Sequence, residues 1–160
     1  MESTLKGTGS GLLKEKIACD LLVAGGGYSG ICAAIQAGRM GLKTILVEKE
    51  MLLGGNGGPN LGVGSTGVMG CNPYYNEGGI IEEIEEEISW QKARMAPTNF
   101  GYNIFPAWDD ILSELLSKSG VTVLRKHCVT GCITKENKIR QVTVLNLENL
   151  NTVEISVNGY

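Results

Sequence analysis

The chain has 160 residues, of which 42% are hydrophobic, so it is long enough and apolar enough for one globular domain, and disorder along its whole length is excluded. Its 14 basic and 17 acidic residues give a net charge of -3, which offers no electrostatic reason to expect nucleic acid or an anionic membrane as a partner. The five cysteines show neither CxxC spacing nor an even pairing framework, so we expect reduced thiols, no metal site and a cytoplasmic protein.

The N-terminal residues, 1–16, are predicted to form a flexible tail. Their glycines carry a high entropic cost of ordering, and the segment offers little surface to bury. The segment also lacks the apolar stretch that a secretory signal requires. The fold is expected to begin at Ile17, and the short apolar run Leu21–Ala24, which is followed by glycine, is typical of a parallel strand buried on both faces.

A helix and a second strand follow this run. Residues 29–39 are rich in helix-compatible types, with apolar side chains spaced to lie on one face, and Gly41 is expected to end the helix. Residues 44–47 are again β-branched and apolar. A strand, a helix and a strand within about thirty residues match the size of one βαβ unit, in which the two strands are parallel.

Two more helices are predicted in the middle of the chain. Residues 51–76 have many glycines and no clear period, and we interpret them as a long ordered loop. The apolar spacing over 80–95 predicts an amphipathic helix, which Pro97 would end. A further helix is predicted over 110–119, with Asp109 available as its N-cap.

The final part of the chain is predicted to be all β. Its apolar and β-branched runs are separated by short polar turns, which favour an antiparallel hairpin or meander. The runs are 121–124, 129–134, 139–145 and 152–157. The expected architecture is therefore a three-layer α/β domain, with a central parallel sheet and an antiparallel meander on one face.

The segment between the first strand and the first helix reads GGGYSG, which is a GxGxxG pattern. The pattern alone is weak in a chain with 23 glycines, but here it directly follows a predicted buried strand and opens a predicted helix. Gly25 can then make the tight turn, Gly27 can let the backbone approach a pyrophosphate, and Gly30 can let helix and strand pack closely. Free amides and the helix dipole provide a phosphate site here without any Lys or Arg.

An acidic residue, Glu48, lies at the end of the second strand, eighteen residues after Gly30. A carboxylate at this position can accept hydrogen bonds from both hydroxyls of an adenosine ribose. Its charge should repel a 2′-phosphate and so disfavour NADP. A plainer interpretation stays open, in which the glycines form only a tight strand-to-helix turn and Glu48 is a surface carboxylate.

A resemblance to known proteins is carried by residues 20–58, which read DLLVAGGGYSGICAAIQAGRMGLKTILVEKEMLLGGNGG. They resemble the FAD-binding proteins of the glutathione-reductase-like superfamily, and more closely the FAD-dependent oxidoreductase family related to fumarate reductase flavoproteins. The resemblance implies a Rossmann-like FAD/NAD(P)-binding domain with FAD as its cofactor. It also implies that Glu48 binds the adenosine ribose, that the loop 54–58 lies near the pyrophosphate and flavin side, and that a strand around Val129 contributes backbone contacts to adenine.

The predicted cofactor-binding residues combine the glycine turn, the acidic residue with its neighbour, the following loop and the later strand. They are Gly25, Gly26, Gly27, Tyr28, Ser29, Gly30, Glu48, Lys49, Gly55, Asn56 and Val129.

The order of elements also favours a flavin over a nicotinamide. An NAD-dependent dehydrogenase would continue with further βα units, whereas no convincing strand follows Val47 until Val121. In the resembling family the meander is followed by a further strand and a Gly-Asp motif, and this chain ends at Tyr160 without them. We therefore expect residues 17–160 to be an incomplete FAD-binding domain, inactive by itself, with its unknown catalytic residues beyond Tyr160.

The leading function is an FAD-dependent oxidoreductase, of which this chain binds the ADP moiety of FAD. Two alternatives stay open, namely an NAD-dependent dehydrogenase domain and a non-catalytic nucleotide-binding fragment. The substrate, the electron partner, the flavin linkage and the oligomeric state have no sequence signal that predicts them.

Overall fold

The computed structural model describes residues 14–58, 61, 78–94 and 108–158. The predicted tail up to residue 13, residues 59, 60 and 62–76 of the predicted loop, and the helix stop at Pro97 lie outside these ranges. The elements are, in chain order, β1 (Lys14–Cys19), β2 (Leu21–Ala24), α1 (Tyr28–Arg39), β3 (Thr44–Glu48), a 3-10 turn (Gly55–Gly57), α2 (Ile80–Arg94), α3 (Trp108–Lys118), β4 (Thr122–Arg125), β5 (His127–Lys135), β6 (Lys138–Asn146) and β7 (Thr152–Val157).

A parallel sheet of three strands has the order β2-β3-β4. The predicted βαβ unit is present, with α1 joining β2 to β3. β4 was predicted to belong to the meander, but it lies parallel to β3, with Ile45 opposite Thr122. The reason is the helix before it, because α3 precedes β4 and packs against it, as expected for a helical crossover between parallel strands.

A second sheet has the order β1-β7-β6-β5, and its strands β5, β6 and β7 form the predicted antiparallel meander. β1 lies parallel to β7, with Ile17 opposite Ile155. This strand begins at Lys14, so three residues that the sequence assigned to the flexible tail are part of the sheet. They belong to it because their backbone pairs with β7, beginning with Lys14 opposite Thr152.

The strand β3 separates two hydrophobic clusters, and every one of its residues is buried. Leu46 packs into the cluster that contains the helices, while Ile45 and Val47 pack into the cluster formed with the four-stranded sheet. The alternation follows from the period of two along a strand. The domain therefore has three layers, helices, parallel sheet and second sheet, which confirms the predicted Rossmann-like α/β class with a parallel sheet and an antiparallel meander.

β2 is less buried than predicted. Leu21, Leu22 and Val23 are half-buried and Ala24 is exposed. Within the described residues β2 has a strand neighbour on one side only, since it lies at the edge of the order β2-β3-β4. The prediction of a strand at this position is correct, whereas the prediction of burial on both faces is wrong.

The start of α3 also differs from the prediction. The helix begins at Trp108, so Asp109 lies inside its first turn and is not the N-cap. Its carboxylate bonds the amide of Leu53 and the guanidinium of Arg125 instead. A tertiary contact has therefore replaced the local capping role that the sequence suggested.

Candidate cofactor site

The glycine turn joins the end of β2 to the start of α1. Gly25 has a φ of +112°, a left-handed conformation that favours glycine, and its amide donates to the carbonyl of Val47 at 2.8 Å. Gly27 is the N-cap of α1 and makes no side-chain cap hydrogen bond. The amides of the first helical turn have no acceptor within the helix, so the positive end of the helix dipole lies at this turn.

Two glycines of the turn differ in what surrounds them. A Cβ atom on Gly30 would lie 2.0 Å from the carbonyl oxygen of Gly25, so only glycine fits where the helix crosses the turn. A Cβ atom on Gly27 would meet no described heavy atom within 4 Å. Among the described residues, the side of Gly27 on which a Cβ atom would stand is therefore open, and a ligand can approach the backbone from that side.

Glu48 ends β3 beside this turn and is only 8% exposed. One carboxylate oxygen, Oε2, accepts a hydrogen bond from the amide of Gly26 at 2.5 Å, and Oε1 accepts one from the amide of Glu50 at 2.8 Å. A carboxylate has about four lone-pair sites, so each oxygen can accept one more donor. The carboxylate is thus fixed by the backbone and still able to bind hydroxyl groups.

The loop after β3 lies directly on the glycine turn. The amide of Gly54 donates to the carbonyl of Gly26 at 2.8 Å, and Gly54 has a φ of +102°. A Cβ atom on Gly55 would lie 3.2 Å from the Cα atom of Gly27, which explains why a small residue is present at this approach. Asn56 is exposed in the 3-10 turn that follows.

Tyr28 is the first residue of α1 and is half-buried, so only part of its ring is accessible to a ligand. Its ring packs at a centroid distance of 6.0 Å from the ring of Trp108, with a tilt of 44°. Burial raises the pKa of the Tyr28 hydroxyl, and the nearby Glu85 carboxylate raises it further. The hydroxyl is therefore neutral at ordinary pH, and the side chain serves to pack α1 against α3.

The predicted residues Ser29, Lys49 and Val129 have other surroundings. Ser29 is exposed within the segment 25–30, and Lys49 is exposed next to Glu48, with its ammonium 3.8 Å from the Glu50 carboxylate. Val129 lies opposite Val144 in the four-stranded sheet, outside the parallel sheet that carries the turn and Glu48. The described site therefore centres on 25–30, Glu48 and the loop 54–58.

Sequence reasoning missed three residues that support this site, namely Leu53, Asp109 and Arg125. Asp109 Oδ1 accepts the amide proton of Leu53 at 2.8 Å, and Arg125 Nη1 lies 2.8 and 2.9 Å from the two carboxylate oxygens of Asp109. These partners are 56 and 16 residues apart in the chain, so no local spacing signals them.

The comparison with protein families settles the class of the domain. Residues 20–157 match the family described as FAD dependent oxidoreductase. The chain belongs to this family. Membership confirms the family that the sequence resembles and FAD as the cofactor. The described turn offers helix N-terminal amides beside a carboxylate, groups that suit the phosphates and hydroxyls of such a cofactor.

Curated relatives agree with this assignment. The chain is 31% identical over 116 residues to 4-oxocyclohex-2-ene-1-carboxylate 5-dehydrogenase from Sinomonas cyclohexanicum, covering 72% of this chain and 18% of that protein. It is 56% identical over 36 residues to the mitochondrial dihydrolipoyl dehydrogenase of Caenorhabditis elegans, covering 22% of this chain and 7% of that protein. The chain thus spans less than a fifth of the length of these relatives.

Solved structures share the fold at low sequence identity. A myxobacterial chondrochloren halogenase, described as an FAD-dependent halogenase, has a TM-score of 0.58 and 19% identity, covering 88% of this chain and 36% of that one. A geranylgeranyl bacteriochlorophyll reductase-like protein from Thermoplasma acidophilum has a TM-score of 0.55 and 21% identity, covering 89% and 38%.

No helix among the described residues has the length and hydropathy needed to span a membrane.

Proposed function

We propose that this chain binds the ADP half of FAD through the glycine turn and Glu48, as part of an FAD-dependent oxidoreductase. One observation carries the proposal. The Glu48 carboxylate is held by the amide of Gly26 at the mouth of the turn, where the Cβ side of the neighbouring Gly27 is open among the described residues. A diphosphate at Gly27 and a ribose at Glu48 would then be adjacent, as in a bound ADP group.

The chain's own groups have distinct roles in this proposal. The amides at the start of α1, together with the helix dipole, stabilise the negative charge of the pyrophosphate. The free lone pairs of Glu48 accept hydrogen bonds from the two ribose hydroxyls, while its bonds to the amides of Gly26 and Glu50 keep the carboxylate in place. The flavin, when bound, supplies hydride or electron transfer, and the protein supplies its position.

The charge of Glu48 also gives the site a selectivity. A phosphate on the ribose 2′-oxygen would lie against the carboxylate, and two like charges in a buried setting repel strongly. The site is therefore expected to prefer FAD and ADP over nucleotides with a 2′-phosphate. In this proposal the turn and Glu48 bind the ADP half, and no residue of the chain has been assigned a catalytic role. We therefore propose that the 160-residue chain alone binds FAD without substrate turnover.

The decisive experiment titrates the protein with FAD, ADP and 2′,5′-ADP, following flavin fluorescence directly and by competition. FAD and ADP are expected to bind, and 2′,5′-ADP more weakly. The variant Glu48→Gln should raise the Kd for FAD about tenfold or more, since a hydrogen bond to a charged group is worth about 1.5–3 kcal/mol. Glu50→Gln is the matched control, because the side chain of Glu50 is exposed beside the site, and its Kd should not change.

Four outcomes would contradict parts of the proposal. If the protein binds neither FAD nor ADP, the turn is not the ADP site. If Glu48→Gln binds FAD as well as the unaltered protein, Glu48 does not bind the ribose. Binding of ADP without binding of FAD would support a nucleotide-binding module of another kind. Tighter binding of 2′,5′-ADP than of ADP would exclude the proposed role of the carboxylate at the ribose.

A further inference from the structure

An ion pair between α3 and β4 holds the segment that leads from β3 to the 3-10 turn. Arg125, the last residue of β4, places Nη1 at 2.8 and 2.9 Å from the two carboxylate oxygens of Asp109 in α3. The same guanidinium donates to the carbonyl of Met51 and, through Nη2, to the hydroxyl of Ser113 at 2.6 Å. Asp109 in turn accepts the amide proton of Leu53 at 2.8 Å. Met51 and Leu53 are thus each held by a hydrogen bond to a member of this ion pair.

The fixed residues lie immediately before the contact with the glycine turn. Leu53 is 1% exposed, and its Cδ2 atom lies 2.7 Å from the point where a Cβ atom of Gly26 would be. The next residue, Gly54, donates its amide proton to the carbonyl of Gly26. The position of Leu53 therefore sets the position of the loop 54–58 on the turn.

The burial of this ion pair distinguishes it from a surface pair. The side chains of Arg125 and Asp109 are 23% and 18% exposed. Arg39 and Glu83 form a comparable ion pair between α1 and α2, which we call the exposed fork, and their side chains are 40% and 45% exposed. Charge-assisted hydrogen bonds are stronger where water is partly excluded. The planar guanidinium also contacts three residues at once, Met51, Asp109 and Ser113, through a fixed fork of donors that the ammonium group of a lysine lacks.

We propose that Asp109 and Arg125 are positioning residues for the cofactor. Asp109, held in place by Arg125, fixes Leu53 by accepting its amide proton, and Leu53 in turn fixes the loop 54–58 in the conformation that receives the pyrophosphate at the glycine turn. Neither side chain is required to touch FAD. The inference rests on the proposed function, because it concerns the same turn.

The test compares two replacements of Asp109, both of which remove its negative charge. Asp109→Asn keeps an oxygen that can accept the Leu53 amide proton, whereas Asp109→Ala removes it. We expect Asp109→Ala to raise the Kd for FAD about tenfold and Asp109→Asn to raise it about threefold or less, at similar melting temperatures. A residue that only stabilised the fold would weaken FAD binding in proportion to the loss of melting temperature in both variants.

Three further variants extend the comparison. Arg125→Lys keeps a positive charge beside Asp109 but cannot reach Met51 and Ser113 together, so its Kd for FAD should lie between those of the unaltered protein and Arg125→Met. Glu83→Gln breaks the exposed fork to Arg39, which contacts no part of the loop, and should leave the Kd unchanged. Equal effects of Glu83→Gln and Asp109→Ala on the Kd would overturn the inference.

A measurement on the unaltered protein keeps the inference testable if Asp109→Ala does not fold. Hydrogen exchange of the Leu53 and Gly54 amides should be slow before FAD is added, because both amides are already bonded. Exchange as fast as in an unfolded peptide would overturn the inference. If the unaltered protein binds no FAD, the proposed function fails, whereas binding that is the same in Asp109→Ala contradicts only the positioning role.

Discussion

Gly30 lies so close to Gly25 that a Cβ atom at position 30 would be 2.0 Å from the Gly25 carbonyl oxygen. This contact is where α1 leaves the turn and packs on β2, with the half-buried Val23 beside it. Gly27, three residues earlier, has no described atom within 4 Å of such a Cβ atom. One glycine of the motif is therefore required by the fold, and the other leaves room for a ligand.

The first prediction is that Gly30→Ala destabilises the protein. The added methyl group meets backbone, which cannot rotate away as a side chain can, so α1 must shift from the turn. Overpacking of this kind costs about 1–3 kcal/mol of the free energy of unfolding. Urea denaturation measures it. Gly131→Ala is the control, since nothing described lies within 4 Å of its Cβ position, and an equal loss of stability in both variants would contradict the prediction.

The second prediction is that Gly27→Ala keeps the fold and loses the cofactor. Gly27 has a φ of -73° and a ψ of 173°, which alanine adopts without strain. The weaker N-cap and the lower entropy of the unfolded chain nearly cancel, so the free energy of unfolding should change by less than about 1 kcal/mol. The methyl group fills the space open to the pyrophosphate, and the Kd for FAD should rise about tenfold or more. Unchanged FAD binding would mean that the pyrophosphate lies elsewhere.

The strands and helices that the sequence predicted depend on local signals. The βαβ unit follows from apolar runs within thirty residues of each other, and the structure places Glu48 against Gly26 because the carboxyl ends of the parallel strands β2 and β3 lie at one edge of the sheet. β7 was predicted with the same bounds that the structure shows, Thr152–Val157. Short turns and β-branched residues are sufficient for such a meander.

The features that the sequence did not predict depend on contacts between distant residues. Lys14 pairs with Thr152, near the other end of the chain, and a polar N-terminal segment carries no sign of that partner. Asp109 has the residue type and position of an N-cap, so a local interpretation could not assign it to Leu53 and Arg125. Tertiary packing decided both cases.

The third prediction concerns thiol reactivity. Burial raises the pKa of the Cys19 thiol, and the neighbouring Asp20 carboxylate raises it further, so less thiolate is present at a given pH. Cys132 is exposed on β5. Brief treatment with iodoacetamide at pH 8, read by peptide mass spectrometry, should label Cys132 well before Cys19. In urea the two rates should converge. Equal labelling in the folded protein would show that β1 opens readily from the sheet.

The last prediction uses the exposed fork between Arg39 and Glu83, whose atoms lie 2.8 and 2.6 Å apart. The hydrogen bond from Arg39, aided by the attraction between the charges, lowers the pKa of the Glu83 carboxyl in the folded state. A lowered pKa in the folded state contributes stability above the unfolded pKa, near 4.3, and this contribution is lost as the pH falls through the folded value. Arg39→Gln should therefore be less stable at pH 7 by about 0.2–1 kcal/mol, because exposed pairs are weak.

The difference in stability between these two proteins should be smaller at pH 3 than at pH 7, because the stabilisation is lost as the pH falls through the lowered folded-state pKa of Glu83. Urea denaturation of the unaltered protein and Arg39→Gln at the two pH values measures the difference. High salt at pH 7 should reduce it, since the pair is open to solvent. A difference as large at pH 3 as at pH 7 would show that Arg39 stabilises the junction of α1 and α2 through the packing of its aliphatic stem, and not through the charge of Glu83.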